Sequence, residues 1–237
     1  VVTTDVSNNV VTTDVSNNVV TTDVSNNIVM DVSNNALRKR LPLSMESYLN
    51  YPQVKPLVHP DISGINQYTN ILLIDNTVPD YQKFVDSVNA STLPIVYSIH
   101  SKKSDLLGLL QLNFTTITRI CICFTSSSGK TKMFLDKEYL FIDNETVPYS
   151  NNLQFILNII TEFQVQNIDY LACDTLNYPN WENYYTILTG TGVTVGASSD
   201  QTGNIKYGGD WVLGSTSQDV EFVYFTQSIE YYTYLLD

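Results

Sequence analysis

From residue 67 onward, apolar and polar positions alternate between two patterns. Short apolar runs closed by turn residues predict strands at 70–76 (NILLIDN), 93–100, 118–124, 168–172 and 193–197. Between them, apolar residues recur at helical spacing. Tyr81, Phe84, Val85 and Val88 mark a helix over 79–90, and further helices are expected at 104–112, with Ser104 and Asp105 at its start, at 151–164, and around Trp181 to Leu188. The stretch 132–143 reads as a β-hairpin with Asp136 and Lys137 near its turn. Strands that alternate with helices imply an α/β fold: a mostly parallel sheet with helices on both faces, right-handed crossovers and, here, added β-hairpins.

The first 35 residues follow another rule. VVTTDVSNN occurs at 1–9, 10–18 and 19–27 and decays to IVMDVSNN at 28–35. Each unit joins a β-prone stretch to a Ser-Asn-Asn turn signal. The nine-residue period is odd, so Val1, Val10 and Val19 would alternate faces along a continuous strand, as would Asp5, Asp14 and Asp23. Such a segment has no face to bury and is expected to be an extended assembly arm that adds strands to neighbouring protein subunits. Residues 36–66, interrupted by Pro42, Pro52, Pro56 and Pro60, read as a connector, leaving 67–237 as the α/β domain.

Composition narrows the partners. The apolar fraction of 43% suits a globular chain, and a net charge of -12 argues against nucleic acid or anionic lipid. The single basic cluster, Arg38 to Arg40, is too short to reverse this and reads as solvated linker or a processing site. No run of about 18 apolar residues is present, so a soluble chain without a membrane span is expected. Cys121 and Cys123 lie two apart in a strand and so on one face, as small core residues; no ligand pair accompanies them, and neither metal nor cofactor is expected.

Parallel sheets place their chemistry beyond the carboxyl ends of their strands. That edge comprises Asp75, His100, the loop from Thr125 to Gly129, Cys173, and Ala197 to Asp200. The order ILLIDNTVPDYQKFV, YLACD, VGASSDQTG, GGDWVLG resembles a domain of large bacterial surface adhesins that is similar to the caspase-like fold. In that family a Ser-His-Gly-x-x-Gly motif ends the third strand and Tyr-Gly-Cys-Asn the fourth. The resemblance places the nucleophile on Cys173 and the histidine on Thr125, with Ser126 at the small glycine beside the oxyanion site. Threonine is no base near neutral pH, and without a neighbouring cation a cysteine stays protonated, near its unperturbed value of about 8.5. With the caspase-like strand order 2-1-3-4, His100 would lie three strand spacings from Cys173, about 14 Å; His59 sits in the connector. Cys173 is therefore expected to be vestigial.

The remaining motifs are weaker. SSSGKT (126–131) lacks the first glycine of a phosphate-binding loop, since position 124 is Phe, and a hairpin signal follows it. Asp200, Asp210 and Glu221 match no calcium-loop spacing. Sequons at Asn89, Asn113 and Asn144 are expected by chance in an Asn-rich chain. The expected function is a non-enzymatic structural or attachment protein of a virion, capsid, fibre or cell surface. A cysteine peptidase with a displaced base and a glycan-binding module, the latter invited by 16 tyrosines, are the alternatives.

Overall fold

The computed structural model describes residues 57–58, 68–127, 130–131, 134–136, 138–139 and 151–237. The repeat arm, most of the connector with His59, the Arg38–Arg40 cluster, Gly129 and Asn144 lie outside the described residues. All of the described residues fall within one compact unit.

Five parallel strands make the centre: β2 (Asn70–Asp75), β3 (Thr92–Tyr97), β4 (Arg119–Cys123), β9 (Asn167–Leu171) and β10 (Thr194–Ala197). All six residues of β2 and of β3 are buried. Strands covered on both faces read as unbroken apolar runs, which is why these segments stand out in the sequence. A short strand β1 (Leu57–Val58) pairs antiparallel with Val96 and Ile95 of β3, so part of the stretch read as connector completes the sheet edge. The sheet order is β10-β9-β4-β2-β3-β1. The first four parallel strands thus run 2-1-3-4, and the fifth is added beyond the fourth. Doubly wound sheets of several kinds share this order.

The two faces are covered differently. Helices α2 (Lys103–Asn113), α3 (Asn151–Glu162) and α4 (Trp181–Thr189) pack on one face. There Leu106 and Leu110, then Leu153, Ile156 and Ile160, then Trp181, Tyr184 and Leu188 join Ile71, Leu73, Ile120, Ile122, Ile168 and Tyr170 in one apolar cluster. The 3–4 spacing on each helix gives one buried stripe. On α2, Ser104 and Asp105 lie in the first turn without capping it, since the helix begins at Lys103.

The opposite face receives α1 (Tyr81–Ser87) and the C-terminal segment. That segment holds a two-residue strand pair, β11 (Val212–Leu213) with β12 (Gln218–Asp219), the single turn α5 (Glu221–Tyr224) and a 3-10 stretch, Gln227–Tyr231. Its anchors are aromatic: Phe84 of α1 lies edge-on to Trp211, Phe225 and Tyr232, with ring centres 6.2, 5.7 and 4.6 Å away. Leu72, Ile74, Cys121, Cys123 and Leu171 complete the cluster. Cys121 and Cys123 share this face, unbonded to each other, and burial pushes both thiols well above their ordinary value.

Two small hairpins follow β4. β5 (Ser126–Ser127) pairs antiparallel with β6 (Lys130–Thr131), so the two ends of the SSSGKT run are strands. β7 (Phe134–Leu135) pairs with β8 (Glu138–Tyr139) about a turn where Asp136 has φ 54°. These described residues fall within the hairpin expected over 132–143. The left-handed conformation is one that Asp tolerates better than most residues.

Candidate site at the carboxyl edge

Each strand end expected to carry chemistry is occupied by structure. Asp75, the last residue of β2, is buried, and its Oδ1 accepts from the Thr77 N–H (2.8 Å) and the Thr77 hydroxyl (2.7 Å), so the carboxylate pins the turn that leads to α1. His100 lies in the turn after β3, where its N–H donates to the Ser98 hydroxyl. Both ring nitrogens are buried without a hydrogen-bond partner among the described residues. Strands β2 and β4 separate β3 from β9, so three spacings of about 4.8 Å stand between the His100 strand and the Cys173 strand. Beyond β10, Ser198 donates to Asp200 Oδ1 (2.8 Å), and the Asp200 carbonyl accepts from the Asp174 N–H (2.8 Å).

Cys173 sits two residues past β9 and is 1% exposed. Its Sγ accepts from the Thr202 N–H at 3.2 Å and lies 3.7 Å from the Thr202 carbonyl, toward which the S–H can donate. Burial pushes the thiol up to about 12, against the opposing pull of the Thr202 N–H. The group is therefore a neutral thiol at neutral pH. Thr125, also buried, follows β4.

The backbone around this thiol is organised about one atom. The N–H of Cys173 (3.2 Å) and the N–H of Ser126 (3.0 Å) both donate to the carbonyl oxygen of Leu236, and the Ser126 hydroxyl lies 3.4 Å from it. Two amides from neighbouring strand ends converging on one oxygen form the geometry that stabilises an oxyanion when it is open to substrate. Here the chain's own carbonyl fills it. Ser126 and Leu236 are 110 residues apart, and no side-chain pattern announces the contact.

A buried charge network lies on the same face of the sheet. Asp169 of β9 is fully buried, and its Oδ2 accepts from Arg119 Nη2 (2.8 Å), Arg119 Nε (3.2 Å) and the Tyr224 hydroxyl. Arg119 also donates to Gln218 Oε1 (3.0 Å), and its guanidinium lies 5.8 Å from the centre of the Tyr224 ring. Burial raises the Asp169 carboxyl above its ordinary value, while Arg119 and Tyr224 pull it back. Oδ1 faces Gly196 of β10, where an added Cβ would come within 2.2 Å. The network ties α5 and β12 to the sheet, so its role is to hold the C-terminal segment. It escaped the sequence reading, although an Asp inside the apolar run NIDYLA was a visible signal.

Other candidates resolve locally. Asp210 Oδ1 accepts from the Val212 N–H, and the Glu221 N–H donates to Asp219 Oδ1, so these carboxylates and backbone groups serve turns. Among the described residues no group of three or more His, Cys, Asp or Glu side chains is placed to hold a metal ion, and no helix is long and apolar enough to cross a membrane. The Asn89 amide donates to the carbonyls of Phe222 (3.2 Å) and Val223 (3.0 Å), and that of Asn113 to Leu109, so both sequon side chains are engaged in the fold.

No curated protein and no solved structure matches the chain. A family model described as a domain of unknown function, DUF4347, matches residues 71–236, which takes in the five parallel strands, the Cys173 edge and the C-terminal cover; the chain belongs to that family.

Proposed function

We propose that the chain is a non-enzymatic structural or attachment protein of a particle or cell surface, in which a caspase-like domain without its base serves as a folded module. The observation that carries this reading is the state of Cys173: a buried thiol held neutral, with its own N–H and that of Ser126 already bonded to Leu236. Acyl transfer by cysteine needs a thiolate, a base within hydrogen-bond reach and open donors for the developing oxyanion. Thr125 stands where the resemblance puts the base, and His100 lies three strands away. The repeat arm at residues 1–35, outside the described residues, is the element that would join the module to neighbouring subunits by strand addition.

The test is chemical. Native protein is treated at neutral pH with an electrophilic peptide probe and offered a fluorogenic peptide library. Neither labelling of Cys173 nor hydrolysis is expected, and Thr125→His leaves both at zero because the amide pair remains filled. Wild-type hydrolysis that disappears in Cys173→Ala would overturn the reading in favour of a cysteine peptidase. For the arm, amides of residues 1–35 are expected to exchange fast in a dilute monomer and slowly in an assembly; protection in the monomer would refute the assembly role.

A further inference from the structure

Residues 234–236 are held chiefly through their main chain. Leu236 uses both of its backbone polar groups on different walls. Its carbonyl takes the N–H groups of Ser126 and Cys173, and its N–H donates to the Thr202 carbonyl at 3.0 Å. One residue earlier, Leu235 forms an antiparallel bridge with Gly203. Main-chain bonds of this kind, made to two separate walls, hold an extended segment whatever its side chains, as main-chain pairing does in peptide recognition by strand addition.

The walls are also cut to fit. Gly203, with φ +142°, has no room for a side chain: an added Cβ would lie 2.8 Å from the Tyr234 carbonyl oxygen and 3.1 Å from the Leu235 Cα. On Gly209 it would lie 2.7 Å from Leu235 Cδ2. Glycine at 203 lets the passing backbone come close, and glycine at 209 leaves room for the Leu235 side chain. Leu236 is fully buried in the cluster that holds Cys173, Leu171 and Cys123, while Asp237 beyond it is exposed. The trough thus accepts an aliphatic side chain, binds that residue's backbone, and releases the next residue to water.

We propose that this trough, walled by Ser126, Cys173, Thr202, Gly203 and Gly209, is a binding site for an extended peptide with a leucine side chain at the gripped position, and that residues 234–237 are its built-in occupant. The inference goes beyond the function proposed above and does not depend on it, since activity at Cys173 would overturn that reading and leave this one standing. Tethering gives the built-in segment an effective concentration in the millimolar range, so a free peptide enters only when the tether's grip is weakened.

The test uses the full chain. Leu236→Asp places a charge in the apolar pocket and releases the segment, with circular dichroism reporting that the sheet remains. A labelled acetyl-Thr-Tyr-Leu-Leu-Asp peptide, followed by fluorescence anisotropy, is expected to bind this variant at least about tenfold more tightly than the wild type, and the Thr-Tyr-Leu-Asp-Asp peptide to bind neither. A folded variant that takes up no peptide overturns the proposal. If the variant does not fold, amide exchange of the unaltered chain decides. The proposal expects the Ser126 and Cys173 amides to exchange at least about tenfold faster than those of Ile122 and Tyr170, through release of the segment alone. Exchange of all four at one common rate would make residues 234–237 ordinary core and refute it.

Discussion

Raising the pH from about 8 to about 10.5 should distinguish a buried neutral thiol at Cys173 from a working thiolate. The folded value is about 12 against an ordinary 9.0, raised chiefly by burial. A thiol raised in this way contributes stability that is fully present below its ordinary value and is lost as the pH climbs toward the folded one. At about pH 10.5 the unfolded chain has ionised this cysteine while the folded chain has not. The loss relative to pH 8 is about 1.5 pK units at 1.36 kcal/mol each, or about 2 kcal/mol. Contributions from every other group are shared with Cys173→Ala and cancel in the comparison. Urea denaturation of both chains at the two pH values should therefore show the wild type losing about 2 kcal/mol more than the variant. The constant cost of the smaller side chain cancels, because only the change with pH is compared. Parallel losses would refute the buried-thiol assignment. A wild type that gains on the variant between pH 7 and 9 would indicate a depressed, thiolate-forming cysteine and reopen the peptidase reading.

Four further outcomes follow from the packing. Gly196→Ala drives a Cβ to 2.2 Å from Asp169 Oδ1 and 2.6 Å from Leu213 Cδ1, so a loss of about 3 kcal/mol or more is expected in thermal or urea unfolding, and a neutral result would refute the contact. Arg119→Met strands the buried Asp169 carboxylate and should cost about 3–5 kcal/mol. Tyr224→Phe leaves the Arg119 pair in place and should cost about 1–3 kcal/mol; the reverse ranking would mean that the hydroxyl, not the guanidinium, carries the site. A chain starting at Ser63 keeps all five parallel strands but loses β1, so it should fold cooperatively, on the order of 1–2 kcal/mol below one starting at Leu43; an unfolded circular dichroism spectrum would show that the edge strand is indispensable.

The sheet was legible because nearly all residues of the parallel strands are buried and spell short apolar runs. Helices α2, α3 and α4 were legible for a related reason: one stripe of each faces the sheet, so the period shows. The C-terminal cover was not. Between Trp211 and Leu236 the chain turns through a two-residue strand pair, a single helical turn and a 3-10 stretch, too short for any period to emerge, and its aromatic residues are placed by Phe84 and the sheet. At the candidate site, the sequence offered Cys173 and Thr125 for scrutiny, since side-chain identities are legible in it. It could not identify what closes the site, because the closing group is a main-chain carbonyl, which every residue has.

The asymmetry of the two covers bears on how the protein is made. Helices α2, α3 and α4 are all synthesised before or between the strands they shield, so one face of the sheet can close as it grows. The other face, with Leu72, Ile74, Cys121, Cys123 and Leu171, has among the described residues α1 alone until the stretch from Trp211 to Leu236 has left the ribosome, some 40 residues after β10. At about 5–20 residues per second that leaves the nascent sheet half-clothed for about 2–8 s. During this interval it presents an apolar surface to water and to its neighbours on the same polysome. A cell that overproduces this chain should therefore lose it first to aggregation during translation, and slower elongation over codons 198–236 should lower the soluble yield even though the finished protein is unchanged.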